Sequence, residues 1–222
     1  SRLRMGIQGD ACCMDDRPEG QARFSASILA AGHGSRMGHV PKAAFRVQGQ
    51  AILERQVASL RGAGVGEISV VIGPYRAQLE PLVAHCKARL VLNETGSTDV
   101  VTSQMAAIQD HYQVHAGHDM LVLLGDLPSL MSSHIQRLTS AWLALARDVH
   151  AAVPTHVGVR GHPILLSWEA VKAIAESDRP DEGIRGWLLK NRNRVQFLEM
   201  RDPAYVQDVD TEEDLLSVGG IP

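Results

Sequence analysis

Several absences narrow this chain before any motif is considered. Cysteine is scarce: of 222 residues three are Cys, with Cys12 beside Cys13 and Cys86 alone. That placement gives neither a disulfide framework nor a zinc-ligand spacing. Cys86 falls in a segment of apolar period and reads as a small buried hydrophobe. No apolar run approaches the length of a membrane span, and residues 1–23 lack the apolar centre of a signal peptide, so a cytoplasmic protein is expected. Positive charge is not in excess either. Against 25 Asp and Glu stand 22 Lys and Arg, a formal net charge of −3, which offers no basic field for nucleic acid or an anionic membrane. Anion binding must then come from a local arrangement, and the expected partners are small molecules.

What is present is the composition of a globular protein, 45% hydrophobic, in a chain of a length that suits one sizeable domain. Residues 1–22 carry charge, glycine and proline without a sustained period and read as a poorly ordered tail, leaving 23–222 as a single domain. Within it, β-rich runs at 24–30, 68–72, 89–92, 120–124, 149–153 and 195–198 alternate with segments of helical period. Leu53, Val57 and Leu60 share one helical face, as do Leu79, Leu82 and Val83, and Ile135, Leu138, Trp142 and Leu145. Gly62, Gly64 and Gly66 close the first of these helices, and Asp210-Thr-Glu-Glu-Asp supplies a cap and acids to the last. The expectation is an α/β fold of three layers on a mainly parallel sheet, with ligands bound where strand C-terminal ends meet loops.

Residues 28–42 place an apolar strand directly before a glycine-rich, cationic loop. Gly32, Gly34 and Gly38 let main-chain N–H groups approach an anion without an intervening Cβ, and Arg36 and Lys42 bring countercharge. The same spacing also suits a plain structural turn. It is one residue longer than the dinucleotide fingerprint, and His39 and Val40 stand where a P-loop needs Lys and Ser or Thr. A second feature is Asp126, which follows four apolar residues and Gly125. A carboxylate at a buried strand end is costly unless a cation pairs with it, and Mg²⁺, held by one or two carboxylates plus phosphate oxygens, meets that need. Capping of the following Pro-Ser turn is the simpler alternative.

Together these segments resemble the MobA-like NTP transferase family. Leu29-Ala30-Ala31-Gly32, Gly34, Arg36-Met37-Gly38 and Lys42 match its first signature. Gly125-Asp126-Leu127-Pro128 is similar to its Gly-Asp-x-Pro, Gly161-His162-Pro163 to its Gly-His-Pro, and Asp208-Val-Asp-Thr-Glu-Glu-Asp214 to its closing acidic motif. The four elements occur in the family's order over roughly residues 27–215. The resemblance implies a Rossmann-like nucleotidyltransferase fold of the glycosyltransferase-A type. It also implies a magnesium pair, Asp126 and Asp210, with Asp208 in support, although both later acids suit helix caps equally.

On the same resemblance, Leu29, Ala30, Ala31, Gly32, Gly34, Ser35, Arg36 and Lys42 bind the nucleotide, with Arg36 and Lys42 neutralising charge at the α-phosphate and the leaving pyrophosphate. Catalysis thus falls to Lys42, Arg36 and Asp126. Asn93 and Ser103 fall where the family recognises base and ribose, but Val101-Thr102-Ser103-Gln104-Met105 departs from the usual pattern, and an N-cap role suits Thr102 or Ser103 as well. His162 would face the acceptor. His111, His115 and His118 read as an exposed helix end and loop rather than a metal site.

Relatives closest in signature are molybdenum cofactor cytidylyltransferases, so the implied reaction moves CMP from CTP to molybdopterin or another phosphorylated acceptor. Ala31, where users of GTP carry glycine, favours CTP over GTP. The alternatives are a different acceptor, such as a sugar phosphate or a phospholactate-type compound, and a non-catalytic nucleotide-binding accessory protein with a molybdoenzyme partner.

Overall fold

The computed structural model describes residues 23–32, 40–94 and 99–221. Gly34, Ser35, Arg36, Met37, Gly38 and the segment 1–22 lie outside them. In chain order the strands are β1 (Phe24–Leu29), β2 (Arg46–Val47), β3 (Gln50–Ala51), β4 (Glu67–Ile72), β5 (Arg89–Leu92), β6 (Asp119–Leu124), β7 (Ala151–His156), β8 (Val159–Arg160), β9 (Ile164–Leu166), β10 (Val195–Glu199) and β11 (Gly220–Ile221). The helices are α1 (Ile52–Gly62), α2 (Arg76–His85), α3 (Val100–Val114), α4 (Ser132–Leu143), α5 (Trp168–Ala175), α6 (Gly183–Lys190) and α7 (Glu212–Ser217).

The main sheet runs β10-β7-β9-β6-β1-β4-β5, with β8 paired to β7. β6, β1, β4 and β5 are mutually parallel, as are β7 and β10; only β9, between β7 and β6, and the short β8 run antiparallel. This is the three-layer, mainly parallel sheet expected. The six β-rich runs all become strands, with ends shifted by up to three residues. What periodicity did not reveal are β9, β8 and the separate sheet β11-β2-β3, strands of two or three residues that are too short to show a period.

The apolar runs are explained by burial on both faces. Leu121 and Leu123 join the cluster that includes Leu53, Val57 and Leu60 of α1 and Ile135 and Leu138 of α4, whereas Met120 and Val122 join Ile108 of α3 and Val171 of α5. Alternate residues of one strand thus feed two cores, so a strand covered on both sides reads as continuously hydrophobic. α1 ends as foreseen, with Gly64 at φ +88° just beyond it. Cys86 is buried, as expected, beside the first core. No helix among the described residues is long and apolar enough to cross a membrane.

Candidate active site

Four segments meet at the C-terminal edge of the sheet. β1 runs out through Leu29, Ala30, Ala31 and Gly32, with Ala30 N donating to Val71 O at 2.8 Å. β6 leaves beside it through Gly125, whose amide donates to Leu29 O at 2.9 Å. A Cβ at residue 125 would stand 3.0 Å from that oxygen and 3.2 Å from the Ala30 Cα, so the contact between the two exits depends on glycine. Gln56 braces the exit from behind, its Nε2 donating to Leu124 O at 2.8 Å and Leu127 O at 3.3 Å, the carbonyls on either side of Asp126. The sequence signal for Gln56 was a polar residue on the apolar face of α1, and it went unread.

The third segment is a 3-10 turn, Lys42–Ala44, anchored by buried Ala43 and Phe45. The fourth carries Asp208 and Asp210. Val209 between them is fully buried with Phe45, Ile52 and Leu215, and its amide donates to Asp126 O at 3.1 Å. One backbone bond therefore brings residues more than eighty positions apart into the same site.

The charged groups are now in contact. Lys42 Nζ donates to Asp126 Oδ2 at 3.1 Å and to Asp210 Oδ1. One carboxylate oxygen from each of Asp126, Asp208 and Asp210 lies within 4.8 Å of the others. Burial by itself would lower the Lys42 pKa, but its hydrogen bond to Asp210 and the charge of Asp126 outweigh that and hold it above the ordinary lysine value. Asp208 is pushed up, first by burial and then by the charges of Asp126 and Asp210. Asp126 Oδ1 is buried and has no hydrogen-bond partner among the described residues.

Neither later acid is consumed as a cap. The N-cap of α7 is Thr211, whose Oγ1 accepts from Asp214 N at 3.1 Å while Asp214 Oδ2 accepts from Thr211 N at 2.8 Å. The expected cap at Asp210 is thus displaced by one residue, and Asp210 is left to face Lys42. Nor does Asp126 cap a turn, since its Oδ2 is taken by Lys42 and its Oδ1 has no partner.

The strand end 29–32, Lys42, Asp126, Val100 and Ser103 line one cleft. Asn93 is buried behind Ser103 and donates from Nδ2 to its Oγ at 3.3 Å. Thr102 and Ser103 are not caps: α3 begins at Val100 with Asp99 at the N-cap position, and both lie within its first turn. Gly34, Ser35 and Arg36 fall outside the described residues. His162 does not line this cleft but a neighbouring cavity, with Nδ1 donating to Val122 O at 3.2 Å. Gly161 packs so closely on Tyr205 that an added Cβ would stand 2.3 Å from its carbonyl oxygen.

The histidine group is a correction. His111 is 1% exposed, not on a surface. Its Nε2 donates to His118 O at 3.0 Å and its Nδ1 accepts from Ser25 Oγ at 3.1 Å. Burial depresses its pKa to about 4, so the ring is neutral and structural. His115 and His118 are half-buried beside it.

The sequence pattern of the MobA-like NTP transferase domain matches residues 26–195. The chain belongs to that family. Nicotine blue oxidoreductase of Paenarthrobacter nicotinovorans is 27% identical over 85% of this chain and 92% of that protein. The 2-C-methyl-D-erythritol 4-phosphate cytidylyltransferase of Thermobifida fusca is 30% identical over 64% of this chain and 58% of its own length. Among solved structures, Rv0371c of Mycobacterium tuberculosis in complex with manganese superposes with a TM-score of 0.67 at 21% identity, over 89% of this chain and 98% of that one. That likeness shows a shared fold. By family the chain is an enzyme, a nucleotidyltransferase acting on nucleoside triphosphates. The Paenarthrobacter protein is named for oxidoreduction, and likeness to it carries no substrate across.

Proposed function

We propose that the chain transfers a nucleoside monophosphate, CMP from CTP by preference, to a phosphorylated acceptor of the molybdopterin kind and releases pyrophosphate. The observation that carries this reading is the convergence of Lys42, Asp126, Asp208 and Asp210 at the end of a glycine-bearing strand. In the reaction an acceptor phosphate oxygen forms the new bond to the α-phosphorus as the bond from that phosphorus to the bridging oxygen of the β-phosphate breaks. A phosphate dianion needs no proton removed, so positioning and charge stabilisation supply most of the rate.

The residues fit a divalent cation. Three carboxylates offer only oxygen, the donor preferred by Mg²⁺ and Mn²⁺, and the buried Asp126 Oδ1 has a free lone pair and no other use. Asp126 and Asp210 would hold the ion, magnesium in this reading, with Asp208 beside them. The ion would supply positive charge to the phosphate oxygens at the reacting phosphorus. Lys42, held by its partly buried turn, would turn its ammonium from the carboxylates to the triphosphate, and Arg36 would add to it. The glycine strand end would let backbone N–H groups meet the phosphates, Ser35 would stand among them, and Asn93 and Ser103 would read the base and ribose.

Preference for CTP rests on Ala31, which lines the cleft, and is supported by the cytidylyltransferase relative. That relative also favours a second acceptor class, a polyol phosphate. The test is pyrophosphate release from each of four triphosphates with Mg²⁺ or Mn²⁺ and a panel of phosphorylated acceptors. Turnover that depends on the metal and is lost in Asp126→Asn supports the reading. Absence of triphosphate binding with either metal would sink it.

A further inference from the structure

The cavity beside the cleft has a composition the transfer reaction does not explain. It measures about 310 Å³, within the range of small-molecule sites. Val153, Ile164 and Leu188 give it an apolar wall, and Arg160 and Arg185 both line it. Neither arginine forms an ion pair among the described residues, although Glu182 is three residues before Arg185, and Glu199 and Arg160 both pair with Thr155 of β7. Glu199 is taken by Thr155 Oγ1 and Val157 N, and Glu182 by Arg179 and Lys190. Arg160 instead lies over the Phe197 ring, 5.0 Å from guanidinium carbon to centroid, which holds its plane while leaving its N–H donors unspent.

The other polar groups of the cavity are fixed by neighbours. Gln104 accepts from Ile184 N through Oε1 at 3.3 Å, which leaves its NH₂ donors to the cavity. His162 must carry its proton on Nδ1, because the Val122 carbonyl can only accept, and Nε2 is therefore unprotonated in the neutral ring. Two exposed guanidinium groups without an ion pair among the described residues, an amide donor and an apolar wall suit a small molecule with an anionic group at one end.

The cavity adjoins the reaction site without being part of it. Gln104 follows Ser103, which lines the cleft, and the Asp208 charge is felt at His162. We infer that Arg160 and Arg185 bind a second anionic group of the acceptor, a phosphate or carboxylate separate from the phosphate that reacts, and so select acceptors carrying two such groups. The inference rests on the transfer reading for the word acceptor; the anion pocket itself does not.

Phenyl phosphate is a suitable probe, pairing a flat apolar ring with a divalent anion. Its binding to the full chain is measured by calorimetry for the parent protein, Arg160→Gln, Arg185→Gln and the double variant, each with and without saturating CTP and Mg²⁺. Saturable binding is expected in the parent, weakened by about tenfold or more in the double variant, as loss of charge-assisted hydrogen bonds implies. It should persist with the nucleotide site filled. Absence of saturable binding in the parent, equal affinity in the double variant, or displacement by CTP would overturn the inference. CTP binding is read separately in the same protein, so its absence would strike the transfer reading while the effect of the arginines still decides the pocket. Retained melting temperature in the variants excludes unfolding as the cause.

Discussion

β6 carries an aspartate at each end, and the two have opposite fates. Asp119 at the N-terminal end accepts from Trp142 Nε1 at 2.8 Å and from Trp168 N at 3.1 Å, both neutral donors, and burial pushes its pKa up. Asp126 at the C-terminal end faces a lysine on one oxygen, two further carboxylates, and nothing on the other oxygen. The first arrangement is closed: every donor found an acceptor, and the group ties α4 and α5 to the sheet. The second is open. It brings like charges together and leaves a lone pair unused, an arrangement that calls for an explanation, which the proposed cation supplies. The same residue type at the start of one strand and just beyond its end thus differs in the partners it has, not in burial alone.

Substitution should make that contrast quantitative. Asp126→Asn or Asp210→Asn should each lower turnover by roughly a thousandfold with the melting temperature retained, a loss comparable to removing a preorganised electrostatic group from an active site. The two should be far from additive. Asp119→Asn should do the reverse: unfolding free energy falls by about 1–3 kcal/mol because an amide donor is turned against Trp142 Nε1 or Trp168 N, with turnover per folded molecule unchanged. Equal effects of the two changes on melting and on turnover would erase the distinction.

Lys42→Ala should cost roughly a hundredfold in kcat with a much smaller change in triphosphate affinity, since a charge aimed at a leaving group acts mainly in the transition state. Loss confined to affinity would make Lys42 a ground-state anchor.

The closed end also predicts a pH dependence. His111 has a folded pKa of about 4 against an ordinary 6.5, so the unfolded chain binds more protons between those values. The associated stability is present above about pH 6.5 and is lost progressively as pH falls to about 4, with a total on the order of 3 kcal/mol. Denaturant titrations across that range should show the slope, and His111→Gln should make it shallower. The smallest effect belongs to the open end: Ala31→Gly should move the CTP-to-GTP ratio of kcat/KM toward GTP by about tenfold, the low end of the scale of one methyl group in a pocket.

How much of this was legible follows from where each signal is stored. The two-sided burial of β6 is local, so its apolar run and the Gly-Asp at its exit could be read directly. So could the short loop anchoring Lys42. The convergence of Asp126 with Asp210 could not be read from spacing, because long-range contacts make it: the backbone bond and burial of Val209 and the bridge through Lys42; only the resemblance singled out Asp210. His111 was misjudged because its acceptor is a carbonyl and its donor a serine on another element, neither of which alters its own neighbourhood in sequence. Arg160 and Arg185 left no signal at all, lying on a two-residue strand and a helix that meet only in three dimensions.

The Val209 tether has one more consequence, which concerns time rather than space. The strands of the large sheet are complete by Glu199, whereas Asp208 and Asp210 follow and are held by residues that follow still later. A chain growing from its amino end can therefore assemble the large sheet and the glycine strand end before Asp208 and Asp210 exist, whereas the Lys42 turn gains its full packing only with Val209. On the proposed reading turnover requires residue 210 to be in place, and a chain cut short before Asp208 is expected to keep the folded signature of the large sheet while turning nothing over. A version ending at Gln207 checks this by circular dichroism, nucleotide titration and pyrophosphate release, and any residual turnover would mean that Asp126 alone suffices. The arrangement makes the segment around Val209 a late addition to the site, joined to a sheet whose strands precede it in the chain.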